Sequence, residues 1–181
     1  RLLRERPRPR GGGDPPFDPD RMLRVLEEVA DRSDWGRSVA DGHGRGIGFS
    51  ACYDSYVAEV LDLHVEDGRA RVDAVTAVVD CGRVVNPDLV RSQFEGGVVF
   101  ALGATMMQEI TVTDGRVDQS NFADFPMPTI GETPVVTTHI LDQDSRPGGI
   151  GEVPIPPTMP ALGNAFFMAT GERRRRVPLF G

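Results

Sequence analysis

Leu61-Asp62-Leu63-His64-Val65-Glu66-Asp67-Gly68-Arg69-Ala70-Arg71-Val72-Asp73 is the stretch that sets the fold. Asp-Gly between two runs rich in Val and Leu is a strong hairpin signal. The run before it, residues 49–65, is rich in Val, Leu, Tyr and Phe and reads as a strand. Residues 70–79 read as the return strand. Arg71 and Asp73 alternate with Val72 at its start. Val75, Ala77, Val78 and Val79 then make it apolar on both faces, which predicts burial on both sides of its later half.

Working outward, Asp18-Pro19 reads as the start of a helix, an N-cap followed by a first-turn proline. Met22, Leu23, Leu26, Val29 and Ala30 share one face at helical spacing, and Trp35-Gly36 closes the element. Trp35 is expected to anchor this helix to the domain. Residues 1–17 are rich in Arg, Pro and Gly and read as a flexible linker or tail. Residues 42–48, Gly-His-Gly-Arg-Gly-Ile-Gly, do not fit a dinucleotide fingerprint. A helix precedes them and a strand follows, the reverse of that motif. They read as a flexible lead into the sheet, with lining of a cofactor as the alternative.

Beyond the hairpin, Asn86-Pro87 again pairs an N-cap with a first-turn proline. The helix it opens is expected over residues 88–107, with a nearly all-apolar, buried second half. Its middle holds Gln93-Phe94-Glu95-Gly96-Gly97. Each interior glycine costs about 1 kcal/mol against Ala, so a close approach is expected there, by a protein element or by a cofactor. A second, short hairpin is expected around Asp114-Gly115. An irregular segment over 120–134, a strand over 135–141 and a last helix over 158–170, capped by Thr158 and ended by Gly171, complete the order. Arg173 to Arg176 read as a solvated tail or a docking site for an acidic surface. The fold class is α+β, helices packed on a mostly antiparallel sheet, with residues 18–181 as one unit.

Between that strand and the last helix lies Gly148-Gly149-Ile150-Gly151-Glu152, followed by Val153-Pro154-Ile155-Pro156-Pro157. Glycine admits backbone dihedrals and approaches closed to other residues, and proline stiffens the exit. The loop presents Glu152 either to a bound ligand or cofactor, or to solvent as part of a tight turn.

Bulk properties narrow the function. The net charge is −7, from 20 Lys and Arg against 27 Asp and Glu, which disfavours nucleic-acid binding. No apolar run approaches the roughly 20 residues of a membrane span. Two cysteines, Cys52 and Cys81, are too few for an iron–sulfur cluster, and His43, His64 and His139 lack metal-ligand spacing. Redox centres, if the protein uses them, come from elsewhere. Residue 1 is Arg, which suits a processing point, a cloning boundary or a fragment edge.

The ordered set of Asp80-Cys81-Gly82-Arg83-Val84-Val85-Asn86-Pro87, Gln93-Phe94-Glu95-Gly96-Gly97, Gln119-Ser120-Asn121-Phe122, Gly148 to Glu152 and residues 161–171 resembles the xanthine dehydrogenase, or molybdenum hydroxylase, family. The nearest branch is the molybdopterin-binding large (beta) subunit of isoquinoline 1-oxidoreductases and aldehyde dehydrogenases, and only its C-terminal portion. The resemblance implies that Glu152 is the active-site base beside molybdenum. It implies that Gln93 lies beside the pterin, and that Gly96, Gly97, Gly149 and Gly151 are where backbone approaches the cofactor. It supplies no metal ligand from this chain. The cofactor implied is molybdopterin with Mo, in the cytosine dinucleotide form.

The same resemblance implies oxidative hydroxylation of an N-heterocycle or an aldehyde with water-derived oxygen. Electrons would leave through [2Fe-2S] clusters on an iron–sulfur partner subunit. The rest of the molybdopterin-binding subunit is a further expected partner. The expected compartment is the cytoplasm, with the periplasm as the alternative. Because the family's subunit is several times longer, this chain is expected to hold half a cofactor site and to be inactive alone. A non-catalytic remnant or assembly domain is the competing reading.

Overall fold

A computed structural model describes residues 17–141 and 143–180. The expected tail over residues 1–17 lies outside the described residues except for Phe17. Among the described residues the elements are helix α1 (Pro19–Arg32), strands β1 (His43–Cys52), β2 (Ser55–Glu66) and β3 (Arg69–Asp80), helix α2 (Pro87–Met106), the two-residue strands β4 (Val112–Thr113) and β5 (Arg116–Val117), a 3-10 turn at Ile130–Glu132, strand β6 (Val135–Ile140) and helix α3 (Ile155–Thr170). The main sheet runs β1-β2-β3-β6, and β4 and β5 form a separate short hairpin.

The α+β expectation holds, and the local start signals act as read. Asp18 Oδ1 accepts from the N–H groups of Asp20 (2.9 Å) and Arg21 (3.3 Å). Asn86 Oδ1 accepts from those of Asp88 and Leu89, both at 3.1 Å. Asp67 (φ 51°) and Gly68 (φ 74°) form the β2–β3 turn with both residues left-handed, as an Asp-Gly hairpin requires. The later half of β3 is buried on both faces, because α1 covers one side of the sheet while α2 and α3 cover the other. Val25 and Val29 of α1 face Tyr56, Ala58, Val60 and Val78 in the smaller core. Val57, Leu61, Val79, Phe94, Val98, Leu162 and Phe166 build the larger one.

Several expectations are corrected. Residues 49–65 are not one strand. β1 ends at Cys52, Tyr53 (φ 54°) and Asp54 (φ 59°) make a tight left-handed turn, and β2 begins at Ser55. The glycine run at 42–48 is not a lead-in but most of β1. Gly44, Gly46 and Gly48 all face α3, where a Cβ would collide with the carbonyl oxygens of Ala165, Ala161 and Pro157 respectively. Two residues of strand advance about 6.7 Å and four residues of helix about 6 Å, so glycines at every second strand position meet successive helix turns. Arg45, on the opposite face, is buried and donates to Asp62 Oδ1 (2.6 Å) and to the carbonyls of Ser33 (2.6 Å) and Asp34 (2.7 Å). It thus neutralises the carbonyl end of α1.

β6 joins β3 in parallel, from Ala74↔Val135 to Val79↔Ile140, with α2 inside the crossover. The second half of helix α2 is largely buried, as expected, except for Phe100, which is 62% exposed. α1 ends at Arg32, and Trp35 stands 42% exposed with the Arg45 guanidinium 5.9 Å from its ring centre. Thr158 does not cap the last helix. That helix begins at Ile155 with Pro154 at its N-cap, and Thr158 is buried in its first turn. Gly171 (φ 73°) closes it as expected. The arginine tail is partly engaged: Arg174 donates to the Leu179 carbonyl (2.7 Å), and Arg176 to Glu109 (2.9 Å). No helix among the described residues is long and apolar enough to cross a membrane.

The β1–α3 contact yields a paired stability test. Gly46→Ala pushes α3 off the sheet and lowers unfolding free energy by about 1–3 kcal/mol. Gly163→Ala, on the same helix where an added Cβ meets nothing, raises it by about 0.5–1 kcal/mol. Urea denaturation of both variants measures the contrast.

Candidate functional site

The carboxyl ends of β1, β3 and β6 lie at one end of the sheet, because β1 and β6 both run parallel to β3. The starts of α2 and α3 and the 143–154 loop gather at the same end. The loop is tied down at its entry. Arg83 N–H donates to the Ser145 carbonyl (3.1 Å), Gly148 N–H to the Cys81 carbonyl (2.8 Å) and Gly149 N–H to the Tyr53 carbonyl (2.8 Å). Ser55 Oγ donates to the Gly149 carbonyl at 2.6 Å. Gly82 (φ 71°) needs its glycine, since its Cβ would strike the Arg146 carbonyl. At the exit, Ser50 Oγ donates to the Val153 carbonyl at 3.3 Å.

Between these ties, Glu152 stands exposed on an open hollow of about 380 Å³ that Gln93, Gly96, Gly97, Gly151 and Ile155 also line. All the residues expected at the site meet there except Gly149. A Cβ on Gly149 would press on Tyr53 Cβ at 2.8 Å, so protein, not open space, occupies its side-chain direction. Gly97 is filled likewise by the Pro154 ring, 2.6 Å from its added Cβ. At Gly96 an added Cβ meets nothing, and at Gly151 only Gln93 Oε1 at 3.8 Å. The glycines therefore divide into a packed pair that docks the loop onto the turn and α2, and an open pair with bare backbone facing the hollow.

The sequence reading missed Tyr53. Its hydroxyl donates to Glu152 Oε2 at 3.1 Å. The hydrogen bond to the carboxylate, and then its negative charge, push the Tyr53 phenol up from its ordinary value. The available signal was a tyrosine before Asp54-Ser55, where two left-handed residues turn the chain without glycine or asparagine. Nearby, burial pushes the Cys52 thiol up and the Glu152 charge adds to it, so Cys52 stays a thiol at neutral pH. Among the described residues no three His, Cys, Asp or Glu side chains gather as a metal site. A second, more enclosed hollow of about 310 Å³ lies between the far end of β3 and residues 128–135, and holds none of the expected residues.

The unit is three-layered, with α1 on one face of the sheet and α2 and α3 on the other, and it presents open glycine backbone and one carboxylate at a cleft. The sequence pattern of the Molybdopterin cofactor-binding domain family matches residues 28–134, and the chain belongs to that family. That match includes Gln93, Gly96 and Gly97 and ends before the Glu152 loop. The chain is 32% identical over 164 residues to the beta subunit of isoquinoline 1-oxidoreductase from Brevundimonas diminuta, covering 88% of this chain and 21% of that protein. It is 30% identical over 183 residues to a subunit of nicotinate dehydrogenase from Pseudomonas putida, covering 88% of this chain and 15% of that one. The crystal structure of quinoline 2-oxidoreductase from Pseudomonas putida 86 superposes with a TM-score of 0.62 at 25% identity, over 70% of this chain and 17% of that chain. The chain thus spans about a fifth or less of the length of these relatives. The family resemblance in the motifs is confirmed, and further relatives include the molybdenum-binding subunit of an aldehyde oxidoreductase from Escherichia coli, 30% identical over 66% of this chain and 17% of that protein.

The Tyr53–Glu152 contact has a direct readout. Glu152→Gln removes the charge and lowers the Tyr53 phenol toward its ordinary value, which an ultraviolet titration of tyrosinate in this two-tyrosine chain detects.

Proposed function

We propose that this chain forms one wall of the active site of a molybdenum-dependent hydroxylase, with Glu152 as the base. The observation that carries the reading is the meeting of Glu152, Gln93, Gly96 and Gly151 around one open hollow. The residues suit a flat, polar cofactor. Gly96 and Gly151 leave backbone uncovered, and Gln93 offers both a donor and an acceptor beside them. Gly97 and Gly149 serve differently, as packing points that place the loop. When bound, molybdopterin with its molybdenum supplies a two-electron acceptor and delivers water-derived oxygen to the substrate.

The chain's own residues handle the proton. Tyr53 occupies Oε2 of Glu152 and fixes the rotamer of the carboxylate, which leaves Oε1 to accept the proton. The loop's ties to Tyr53, Ser55 and Cys81 at its entry, and its prolines at the exit, keep that oxygen in place. An ordered carboxylate gains more from proximity than a mobile one.

The substrate is an N-heterocycle or an aldehyde, in keeping with the names of the relatives. The other wall of the site comes from the remaining molybdopterin-binding part of the subunit. Electrons pass to [2Fe-2S] clusters on an iron–sulfur subunit, and the cofactor carries a cytosine dinucleotide. The chain alone is inactive, and the assembled enzyme works in the cytoplasm.

Two substitutions in the assembled enzyme test this. Glu152→Gln lowers turnover roughly 10²–10⁴-fold, the usual worth of a general base, with molybdenum content unchanged by mass spectrometry. Unchanged turnover would rule out the base role and favour a non-catalytic assembly domain. Gly96→Leu keeps the fold, because leucine is a strong helix former and the position is open, but lowers molybdenum content several-fold.

A further inference from the structure

Glu59 lies in the middle of β2 with no exposed surface. It alternates with Val57 and Leu61, so it faces the larger core beneath α2 and α3. Its register neighbours are Gly48 on β1 and Ala77 on β3. α3 sets Thr158 against it, and no charged group acts on it from any of these elements. Its Oε1 has no hydrogen-bond partner among the described residues. A bare carboxylate in such a place is costly.

A helix start ordinarily offers free N–H groups to an anion. This one does not. Pro154, Pro156 and Pro157 carry no N–H. The N–H groups of Ile155 and Thr158 turn back to the carbonyls of Glu152 (3.1 Å) and Pro154 (3.4 Å). Among the described residues, the only hydrogen-bond donor to Glu59 is the Thr158 hydroxyl.

That hydroxyl has two oxygen neighbours, Glu59 Oε2 at 2.7 Å and the Pro154 carbonyl at 2.8 Å. A hydroxyl has one proton to give. If Glu59 were a carboxylate, one of these short contacts would face two acceptors with no proton between them. Both are satisfied together when Glu59 Oε2 carries the proton, donates it to Thr158 Oγ1, and Thr158 donates to Pro154. Burial acts in the same direction, pushing the Glu59 carboxyl up to about 8 against the weaker opposing pull of Thr158.

We propose that Glu59 is a protonated positioning residue that holds the exit of the Glu152 loop through the chain Glu59–Thr158–Pro154. Pro154 lies two residues beyond Glu152, and its ring seals Gly97 of α2. The loop is therefore clamped at Gly149 on one side and at Pro154 on the other. Ionising Glu59 converts its donor into an acceptor, breaks the chain and leaves a charge under α3. The proton on Glu59 stands independently of the role of Glu152, whereas the positioning consequence rests on Glu152 being the base.

The pH effect has a definite sign. The folded value, about 8, is above the ordinary 4.5, so the folded protein keeps a proton that the unfolded chain releases. The stabilising contribution is complete below about pH 4.5 and is lost as pH rises to about 8. The test is urea unfolding of the full 181-residue chain and its Glu59→Gln variant from pH 5 to 9, since Gln stays neutral and keeps a donor. The ratio of unfolding constants, native protein over variant, is expected to rise about tenfold per pH unit up to about pH 8 and then level off. A ratio independent of pH overturns the protonated Glu59. If the variant does not fold, the infrared spectrum of the unmodified chain decides. A protonated-carboxyl C=O band present at pH 7 and lost above pH 9 supports the proposal, and absence of that band at pH 7 overturns it.

Positioning is read separately, from the Tyr53 phenol. Thr158→Val, which deletes the middle of the chain, lowers its titration toward the ordinary value as Glu152 drifts, and Thr158→Ser restores it. A Tyr53 titration unmoved by Thr158→Val overturns the positioning step. None of these measurements uses turnover, so a failure of the base assignment is distinguished from a failure here.

Discussion

The contact between β1 and α3 controls the rest of the structure. Gly44, Gly46 and Gly48 bring the backbone of a strand against the backbone of a helix, at Ala165, Ala161 and Pro157. Side chains on both elements normally hold a helix away from the sheet it covers. Here there are none on the strand side, and the helix sinks in. Its depth fixes where its first turn lies, and the first turn is continuous with the Glu152 loop. The same depth brings Thr158 within reach of Glu59 and puts Pro154 on Gly97 of α2. The Glu152 loop is thus set by an interlock of backbone against backbone.

That interlock also explains which parts of the molecule were legible in the sequence. Signals that act over a few residues were readable: Asp18-Pro19 and Asn86-Pro87 as helix starts, Asp67-Gly68 as a hairpin turn, Gly171 as a helix end. The two-sided burial of β3 was readable from its unbroken apolar run. The glycine run of β1 was not, because its meaning lies in a partner more than a hundred residues away. In isolation Gly-x-Gly-x-Gly looks flexible, and only α3 makes it a strand with a smooth face. The turn at Tyr53-Asp54 was hidden because its first left-handed position is a tyrosine, and Asp54 without a neighbouring glycine or asparagine is a weak mark. The parallel pairing of β6 depends on a long crossover that carries no local mark.

The site was legible to a similar extent and for similar reasons. Motif order brought Glu152, Gln93 and the glycines forward, and the fold gathers all but Gly149 on one hollow. The motifs did not separate glycines that are open from glycines that are packed. Gly96 and Gly97 are neighbours in sequence and, at a helical step of about 100°, point in different directions. One faces open space and the other the Pro154 ring. Thr158, read as a cap from its residue type, is spent on a buried carboxyl because proline already occupies the cap. Each of these outcomes depends on what lies across the interface, which residue type alone does not report.

The two carboxyl groups of this region differ because their surroundings offer different partners. Glu152 is exposed beside a phenol that donates to it, an arrangement that tolerates negative charge. Glu59 is enclosed by Gly48, Ala77 and a helix start whose prolines remove the N–H groups that would otherwise welcome an anion. The prolines after Glu152 therefore have two effects. They stiffen the exit of the loop, and they deny charge stabilisation to the carboxyl beneath it. With charge disfavoured, Glu59 keeps its proton and serves as a donor, and a donor at that point is what the Thr158–Pro154 pair lacks. Rigidity at Glu152 and neutrality at Glu59 follow from the same three residues.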